Sequence, residues 1–291
     1  MLSGSPPRFG AYALRVIVVL AVTCTTLWTG AVGCLWVNET RMVFRAYRSR
    51  VDLPVAYRDL LQLKTSDGVV LDAVSLAADT PSEYWILFCP PAAGTIHGRL
   101  QSQLYELQTL GYNVFAFDYR GFGRNGGQPS ESGVYQDALA AYRYLTQERR
   151  IPASRIILAG RSLGSAVAVE LSTRVSSAGL LLLSTLDSVP LTAARFYPWA
   201  PVRWLASQRF DSMGKAHRVR GPVVMVHGSR DQLIPIAAAR ALFSELPEPK
   251  LLVETTGGHN RAGFGDGAPL ADALARFWPP SRERSGEPDS E

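Results

Sequence analysis

Cysteine is scarce in this sequence, with 3 residues among 291. Cys24 and Cys34 lie in an apolar stretch near the N-terminus, and Cys89 lies in a predicted core strand. These positions leave no pair that could form a disulfide in a globular domain. The fold must therefore be stabilised by burying apolar side chains, which make up 47% of the sequence.

Motifs that bind metals, nucleotides or nucleic acids are missing as well. There is no Cys, His or Asp cluster at metal-ligand spacing and no Gly-x-x-x-x-Gly-Lys. Glycines at 121, 123, 126 and 127 follow a predicted strand, but a turn or substrate-loop role explains them without a dinucleotide site. The net charge of +5 is modest, and no stripe of Lys and Arg alternates with stacking aromatics. We therefore expect no cofactor, no metal and no nucleic-acid partner, so any chemistry must rest on side chains.

The strongest positive signal is residues 155–164, Arg-Ile-Ile-Leu-Ala-Gly-Arg-Ser-Leu-Gly. A short apolar run leads into Gly-x-Ser-x-Gly, and a segment rich in Ala and Val follows. This pattern is typical of a serine on a sharp turn between a strand and a helix, where flanking glycines let the two elements approach closely. An ordinary turn before a helix is the alternative. The predicted strand and helix on either side favour Ser162 as a nucleophile.

A serine nucleophile of this type needs an orienting acid and a base, which follow it in the order Ser, Asp, His. Asp231 comes directly after residues 222–228, an apolar run that predicts a buried strand. His259 follows another short strand and a pair of glycines. We predict Asp231 as the acid and His259 as the base. Asp118 also ends a predicted strand, but it precedes the serine and fits the order less well.

The sequence has 4 histidines, so each alternative base can be considered. His227 lies inside an apolar run and is expected to be a core residue. His217 lies among basic residues, which indicates a solvated segment. His97 lies near the predicted oxyanion loop and could contact substrate, but it precedes the serine. His259 could instead cap the final helix.

Acyl transfer also requires backbone N–H groups directed at the developing oxyanion. Leu163, directly after the serine, should supply one. The second donor is expected from the loop that ends residues 85–94, Trp-Ile-Leu-Phe-Cys-Pro-Pro-Ala-Ala-Gly. Its two prolines have no N–H, which leaves Ala92 or Ala93, and we predict Ala92.

Apolar runs bounded by Gly and Pro predict a series of strands. They lie near residues 84–89, 112–118, 155–160, 178–184, 222–227 and 249–255, after a hairpin that joins residues 55–64 to 69–77. Helical patterns separate most of them, including an amphipathic helix over 131–149 whose aromatics should be core. This alternation predicts an α/β fold with a mostly parallel central sheet and helices on both faces. The predicted serine, acid and base all follow strand ends, where such sheets place their sites.

Several segments together resemble the α/β-hydrolases. They lie at residues 117–123, 129–137, 160–164, 209–212, 226–231 and 257–260, within a stretch of about residues 55–278. The resemblance is to the single-domain, often membrane-anchored branch that includes protein depalmitoylases, lysophospholipid and monoacylglycerol lipases, and serine-aminopeptidase-like hydrolases. It implies an α/β-hydrolase fold and hydrolysis through a Ser-His-Asp triad. Members often carry His-Gly-Asn-Ala-Gly at the oxyanion loop, whereas residues 90–94 read Pro-Pro-Ala-Ala-Gly.

The N-terminal part contains a long apolar run. Residues 16–37 carry no charged side chain and, as a helix, would cross roughly 30 Å of hydrocarbon. We predict an uncleaved transmembrane or signal-anchor segment that brings the protein to membrane lipid. Residues 31–34, Ala-Val-Gly-Cys, loosely resemble a lipoprotein processing site, so a lipoprotein anchored through Cys34 is the alternative. A cleaved signal peptide is a third outcome.

The remaining boundaries follow from this span. A short segment, 1–15, precedes it and a basic juxtamembrane linker, 38–54, follows it. The excess of arginine after the span favours a catalytic domain on the cytoplasmic side, whereas a lipoprotein would place it outside. We assign residues 55–279 to the catalytic domain and expect 280–291 to be a disordered tail. No internal repeat or second domain is found.

Residues 185–215 form an unusually aromatic connector, with Phe196, Tyr197, Trp199 and Trp204. Two interpretations are equally supported. The segment is either a small lid that receives an acyl chain, or a connector whose aromatics pack onto the core.

These features together predict a membrane-associated serine hydrolase that cleaves carboxylic esters or thioesters of apolar or lipid-like acyl groups. An aminopeptidase or amidase with the same triad is one alternative. A membrane scaffold that keeps the fold without catalysis is the other. The sequence indicates no oligomeric state.

Overall fold

The computed structural model describes residues 8–45, 60–98, 100–265 and 268–280. The strands are β1 (Leu61–Lys64), β2 (Val70–Leu76), β3 (Trp85–Cys89), β4 (Asn113–Phe117), β5 (Ile156–Arg161), β6 (Gly179–Leu183), β7 (Val223–Gly228) and β8 (Lys250–Thr255). The helices are α1 (Arg8–Val37), α2 (Glu39–Val43), α3 (Gln101–Thr109), α4 (Glu131–Arg143), α5 (Leu163–Ser172), α6 (Val189–Phe196), α7 (Val202–Leu205), α8 (Ser212–Lys215), α9 (Ile236–Glu245) and α10 (Ala268–Phe277).

All eight strands form one sheet in the order β1-β2-β4-β3-β5-β6-β7-β8. The strands from β4 to β8 run parallel, while β2 is antiparallel to both β1 and β4. This confirms the predicted fold class. The predicted hairpin is present between β1 and β2, where Gly68 turns the chain with φ +86°. Residues 55–59 of that prediction lie outside the described part of the chain.

Helices cover both faces of the sheet and create two apolar cores. On one face, α4, α5 and α9 contribute buried side chains such as Val134, Val167 and Leu242. On the other face, α3 and α10 contribute Leu104 and Leu274. Because both faces are covered, the parallel strands are buried along their length, which explains their continuous apolar sequences.

The predicted helix over 131–149 is shorter than expected. The α-helical part, α4, ends at Arg143 and continues as one π-helical turn, Tyr144–Glu148. In that turn the N–H of Arg149 donates to the carbonyl of Tyr144. Tyr142 and Leu145 are buried, as the helical spacing predicted.

The N-terminal apolar run forms the helix α1. Its residues Tyr12–Val37 have a mean hydropathy of 1.9 over the most apolar window and are long and apolar enough to cross a membrane. No part of that window is buried against the rest of the described chain. The helix begins earlier than residue 16, because Arg15 and the residues before it are helical too.

The start of the predicted juxtamembrane linker packs onto the domain that contains the sheet. After α2, the Phe44 side chain is fully buried. Its ring centroid lies 5.9 Å from that of Phe210 and 6.4 Å from that of Phe122, both in edge-on contact. Residues 38–45 are therefore continuous with the domain, while 46–54 lie outside the described residues.

Beyond β6, residues 185–215 form the short helices α6, α7 and α8. Phe196, Trp199 and Trp204 are exposed. The interpretation that these aromatics pack onto the core is therefore wrong for these three side chains. At the other end of the domain, Trp278 is buried, and the predicted tail beyond residue 280 lies outside the described residues.

Candidate active site

Ser162 lies on a sharp turn between β5 and α5. Its φ is +54°, a left-handed conformation that side chains rarely adopt. The turn requires close backbone contact on both sides. A Cβ at Gly160 would lie 2.0 Å from the carbonyl oxygen of Gly164, and one at Gly164 would lie 2.1 Å from that of Cys89. Only glycine fits these two positions, which is why the motif places glycine on both sides of the serine.

The structure brings the three predicted side chains together at the carboxyl edge of the sheet. His259 Nε2 lies 3.0 Å from Ser162 Oγ. His259 Nδ1 lies 2.7 Å from Asp231 Oδ2. With Nδ1–H donating to the carboxylate, Nε2 is left to accept the serine proton. This geometry allows the imidazole to act as a base toward the hydroxyl.

Asp231 is fixed by the loop that follows β7. Its Oδ1 accepts the backbone N–H of Leu233 at 2.9 Å and that of Ile234 at 2.8 Å. Burial raises the pKa of Asp231, but the hydrogen bonds from His259 and Ile234 outweigh burial and hold this pKa below its ordinary value. The carboxylate is therefore ionised and oriented toward the imidazole.

His227 lies directly beside this acid. It is fully buried, and its Nδ1 accepts the N–H of Thr185 at 3.2 Å while Nε2–H donates to the carbonyl of Ile234 at 2.9 Å. Burial lowers the pKa of His227, which favours the neutral ring. The sequence predicted a core histidine here, and the structure confirms it. The sequence did not predict that His227 Nε2 lies 3.4 Å from Asp231 Oδ2.

The residues that the sequence offered as alternatives to Asp231 and His259 lie outside this group of three side chains. Asp118 is fully buried and accepts the N–H of Ile96 at 2.8 Å, so it supports the loop before α3. His97 is also buried, with Nε2 3.9 Å from Asp72 Oδ2, and it does not line the cleft above Ser162. The suggestion that His97 contacts substrate is therefore not supported. His217 is exposed, as expected.

The oxyanion donors were predicted at Leu163 and Ala92. Leu163 opens α5, where the first N–H groups have no partner within the helix. Ala92 and Ala93 both line the cleft next to Ser162. The positions of Leu163 and Ala92 are consistent with their predicted role as oxyanion donors. The choice of Ala92 over Ala93 stays a prediction.

A serine after β6 holds the histidine loop. Ser184 Oγ donates to the carbonyl of His259 at 2.7 Å, and Ser184 itself has φ +46°. Ser165 acts similarly on the nucleophile turn, since its Oγ donates to the carbonyl of Ser162 at 2.6 Å. Sequence reasoning missed both residues. The position of Ser184, at the end of the strand predicted over 178–184, was the available signal.

The cleft above Ser162 has a volume of about 800 Å³ and a cationic lining. Arg45, Arg161 and Arg230 line it, and among the described residues no aspartate or glutamate does. The Arg161 guanidinium lies 3.4 Å from both the carbonyl and the Oδ1 of Asn260. Sequence reasoning missed these arginines, although two of them directly precede a predicted triad residue.

The residues that the structure describes contain no group of three or more His, Cys, Asp or Glu side chains arranged to hold a metal ion.

Comparisons with known proteins agree with this architecture. A family model described as serine aminopeptidase, S33, matches residues 93–214. An uncharacterised protein of Mycobacterium tuberculosis is 32% identical over 273 residues, which cover 91% of this chain and 94% of that protein. Alpha/beta hydrolase domain-containing protein 17C of Xenopus tropicalis is 31% identical over 69% of this chain and 64% of its own length. Among solved structures, the Pyrococcus furiosus esterase Pf2001 superposes with a TM-score of 0.63 at 20% identity, over 79% of this chain and 97% of that one.

Proposed function

The chain belongs to the α/β-hydrolase family, and from this premise we propose that it is a membrane-anchored serine hydrolase of acyl esters or thioesters. One observation carries the proposal. The hydroxyl of Ser162, the imidazole of His259 and the carboxylate of Asp231 form a continuous chain of contacts of 3.0 and 2.7 Å. This is the arrangement that makes an alcohol nucleophilic.

The reaction proceeds through an acyl-enzyme. Ser162 Oγ attacks the acyl carbonyl while His259 Nε2 takes its proton, and the imidazolium is stabilised by Asp231. The same Nε2–H then protonates the leaving alcohol or thiol as the carbon–oxygen or carbon–sulfur bond breaks. Water attacks the acyl-enzyme with His259 again as base, which releases the acid and restores the serine. Backbone N–H groups of Leu163 and Ala92 receive the oxyanion in both steps.

The proposal predicts covalent labelling by a fluorophosphonate probe that depends on Ser162. The full chain should label, and Ser162→Ala should abolish labelling without lowering the melting temperature by more than a degree or two, because only a hydroxyl is removed. The matched control is Ser244→Ala, on the exposed helix α9, which should label like the natural protein. A natural protein that is folded but unlabelled would favour the non-catalytic scaffold.

The aminopeptidase alternative is favoured by the description of the family model. The cleft argues against it. An aminopeptidase must bind a substrate ammonium, and three arginines with no carboxylate in the described lining repel that charge. The same lining favours neutral acyl groups and leaving groups that carry negative charge.

Substrate class can be measured with a chain-length series of esters and thioesters alongside an aminoacyl amide. We expect kcat/KM to be higher for the esters and thioesters than for the amide. For an ester whose alcohol part carries a phosphate, Arg230→Gln should raise KM with little change in kcat, while a neutral ester should be unaffected. A preference for the aminoacyl amide would replace this proposal with the aminopeptidase.

Membrane anchoring is supported by α1, which is long and apolar enough to span a bilayer. An enzyme held at a membrane meets lipid-like acyl substrates at high local concentration. Four arginines follow the span, at 41, 45, 48 and 50, and two precede it, at 8 and 15, which favours the cytoplasmic side for the catalytic domain.

A further inference from the structure

Four large apolar side chains form one exposed surface on the helices α6 and α7 and the connector between them. This aromatic surface consists of Phe196, Trp199, Trp204 and Leu205, which are 50%, 48%, 84% and 45% exposed. Close to half or more of each of them stays exposed in the described part of the chain. Side chains of this size, clustered and exposed, mark a surface that binds an apolar partner.

The aromatic surface lies beside the N-terminal helix. The indole N–H of Trp28, in α1, donates to the carbonyl of Trp199 at 3.1 Å. Between the two, an apolar crevice is lined by Val32 and Leu35 of α1 and by Val189 and Tyr197 of the α6 region. The segment therefore runs alongside the C-terminal half of α1.

Hydrogen bonds to the side chain of Glu39 fix the position of this segment alongside α1. The carboxylate of Glu39, at the start of α2, accepts the backbone N–H of Ser207 at 3.2 Å, its hydroxyl at 2.6 Å and the N–H of Gln208 at 2.9 Å. Together with the buried ring of Phe44, which contacts Phe210, these hydrogen bonds join the end of α1 to the rest of the domain. The domain thus has a defined orientation relative to α1.

The position of the segment alongside α1 determines how deep it lies in a bilayer that α1 spans. At about 1.5 Å per residue, Trp28 lies roughly 13 Å along the axis from Val37, the last residue of α1. When α1 spans a bilayer, anything packed against Trp28 lies below the membrane surface rather than in water. Trp and Tyr are the residues enriched at that level, and Arg203, which is exposed there, is long enough to reach the headgroups.

We infer that the aromatic surface is immersed in the lipid bilayer beside α1, at the level of the headgroups and upper acyl chains. This inference rests on the proposed membrane anchor. It goes beyond an anchor, because the catalytic domain is then partly embedded rather than tethered. Arg45 lines the cleft and lies shortly after Val37, so the cleft lies on the side of the membrane at which α1 ends.

The test measures the depth of single positions in the full chain. Cys24→Ser and Cys34→Ser leave only the buried Cys89, and one new cysteine is then labelled with the fluorophore NBD. The test position is Trp204→Cys, with Leu205→Cys as a second in case the first does not fold. Val22→Cys, in α1, reports the span. Gln147→Cys, exposed at the opposite edge of the sheet, reports water.

Each labelled chain is reconstituted into phosphatidylcholine vesicles and quenched either by iodide or by doxyl-labelled lipid. We expect loss of NBD fluorescence at 204 with shallow doxyl lipid and little loss with iodide, the reverse of position 147. Quenching by iodide at 204, as at 147, would overturn the inference while leaving the anchor intact. Quenching by neither would indicate that another protein copy covers the surface, which also overturns it. A lack of lipid quenching at position 22 would overturn the membrane anchor and the inference together, while fluorophosphonate labelling would still report the hydrolase separately.

Discussion

The nucleophile turn depends on backbone contacts that leave no room for a methyl group. We predict that Gly164→Ala lowers stability by about 1–3 kcal/mol or more, because its Cβ would lie 2.1 Å from the carbonyl oxygen of Cys89. Alanine favours a helix interior over glycine by up to about 1 kcal/mol, which is too little to offset this clash. Thermal unfolding and fluorophosphonate labelling measure the two consequences, loss of stability and displacement of Ser162.

Gly126→Ala is the matched control for this change. No heavy atom lies within 4 Å of a Cβ built there, so stability and labelling should stay close to those of the natural protein. Normal labelling of Gly164→Ala would contradict the geometric account of the turn.

Asp118 should make stability depend on pH. Burial raises the pKa of Asp118 to about 8, whereas an unfolded aspartate titrates near about 4. The folded chain therefore keeps this proton over a range in which the unfolded chain releases it. The contribution of Asp118 to stability is full below about pH 4 and declines as the pH rises toward about 8.

Asp118→Asn isolates that contribution, because the amide oxygen can still accept the N–H of Ile96. We expect the melting temperature of the variant, relative to the natural protein, to rise as the pH is raised from about 4 to about 8. Other carboxylates, including Asp231, affect both proteins alike and cancel in the difference. A difference that is constant across this range would show that Asp118 is ionised in the folded protein.

Sequence reasoning reached Ser162, Asp231 and His259 because each lies within a few residues of the end of a strand and because the chain order of such residues is restricted by the fold. It could not find the hydrogen bond from Ser184 to the histidine loop. That bond joins the loops that follow two separate strands, β6 and β8, and no local sequence pattern reports that these loops meet. The catalytic roles of the three residues stay a proposal until labelling is measured.

At the scale of elements, the predictions for β2 to β8 agree with the structure within a residue or two. They agree because β3 to β7 are buried on both faces, so the apolar runs mark their whole length. The end of α4 was predicted less well, because after Arg143 the chain continues as one π-helical turn rather than as an α-helix. The apolar pattern alone does not distinguish the two.

The connection after α1 provides an element-scale prediction. Phe44→Ala should lower the free energy of unfolding by about 3–5 kcal/mol, because a fully buried phenylalanine ring is replaced by a cavity. Thermal unfolding in detergent micelles measures the effect. Met42, two residues earlier, is 39% exposed, and Met42→Ala should change stability by less than about 1 kcal/mol.

Equal effects of the two changes would mean that residues 39–44 are a loose tether. Sequence reasoning treated this region as part of a basic linker. Its arginines dominate the pattern, and a single phenylalanine gives no periodic signal.

At the scale of the whole molecule, experiment can distinguish attachment by a membrane-spanning helix from attachment by a lipid on Cys34. We predict that Cys34→Ser stays in the membrane fraction after alkaline extraction, since a span of the length of Tyr12–Val37 is held by its own apolar surface. Cys24→Ser is the control, because that cysteine lies in the same helix outside any processing pattern. The intact mass of the natural protein should include residues before Cys34.

A lipid-modified Cys34 at the start of the mature protein would establish the lipoprotein instead. So would release of Cys34→Ser alone from membranes. Neither result would alter the fold or the contacts of Ser162, which lie outside α1.

The sequence did not decide the role of residues 185–215, because that role depends on how distant parts of the molecule pack together. Whether Trp199 and Trp204 are buried or exposed depends on how the N-terminal helix packs against the domain, and no local pattern reports that packing. None of these residues lines the described part of the cleft. The segment therefore lies beside α1 in this structure and not above Ser162.

The core is closed by one residue after the last helix. Trp278 is buried against Gly179, its indole N–H donates to the carbonyl of Ala178 at 3.1 Å, and its own carbonyl accepts the hydroxyl of Tyr112 at 2.6 Å. Ending a recombinant protein before residue 278, or replacing the end of the chain from that point with an affinity tag, would remove the Trp278 side chain and leave an apolar cavity beneath β6. Fusions placed after Pro280 keep that side chain and are the practical choice for expressing the enzyme.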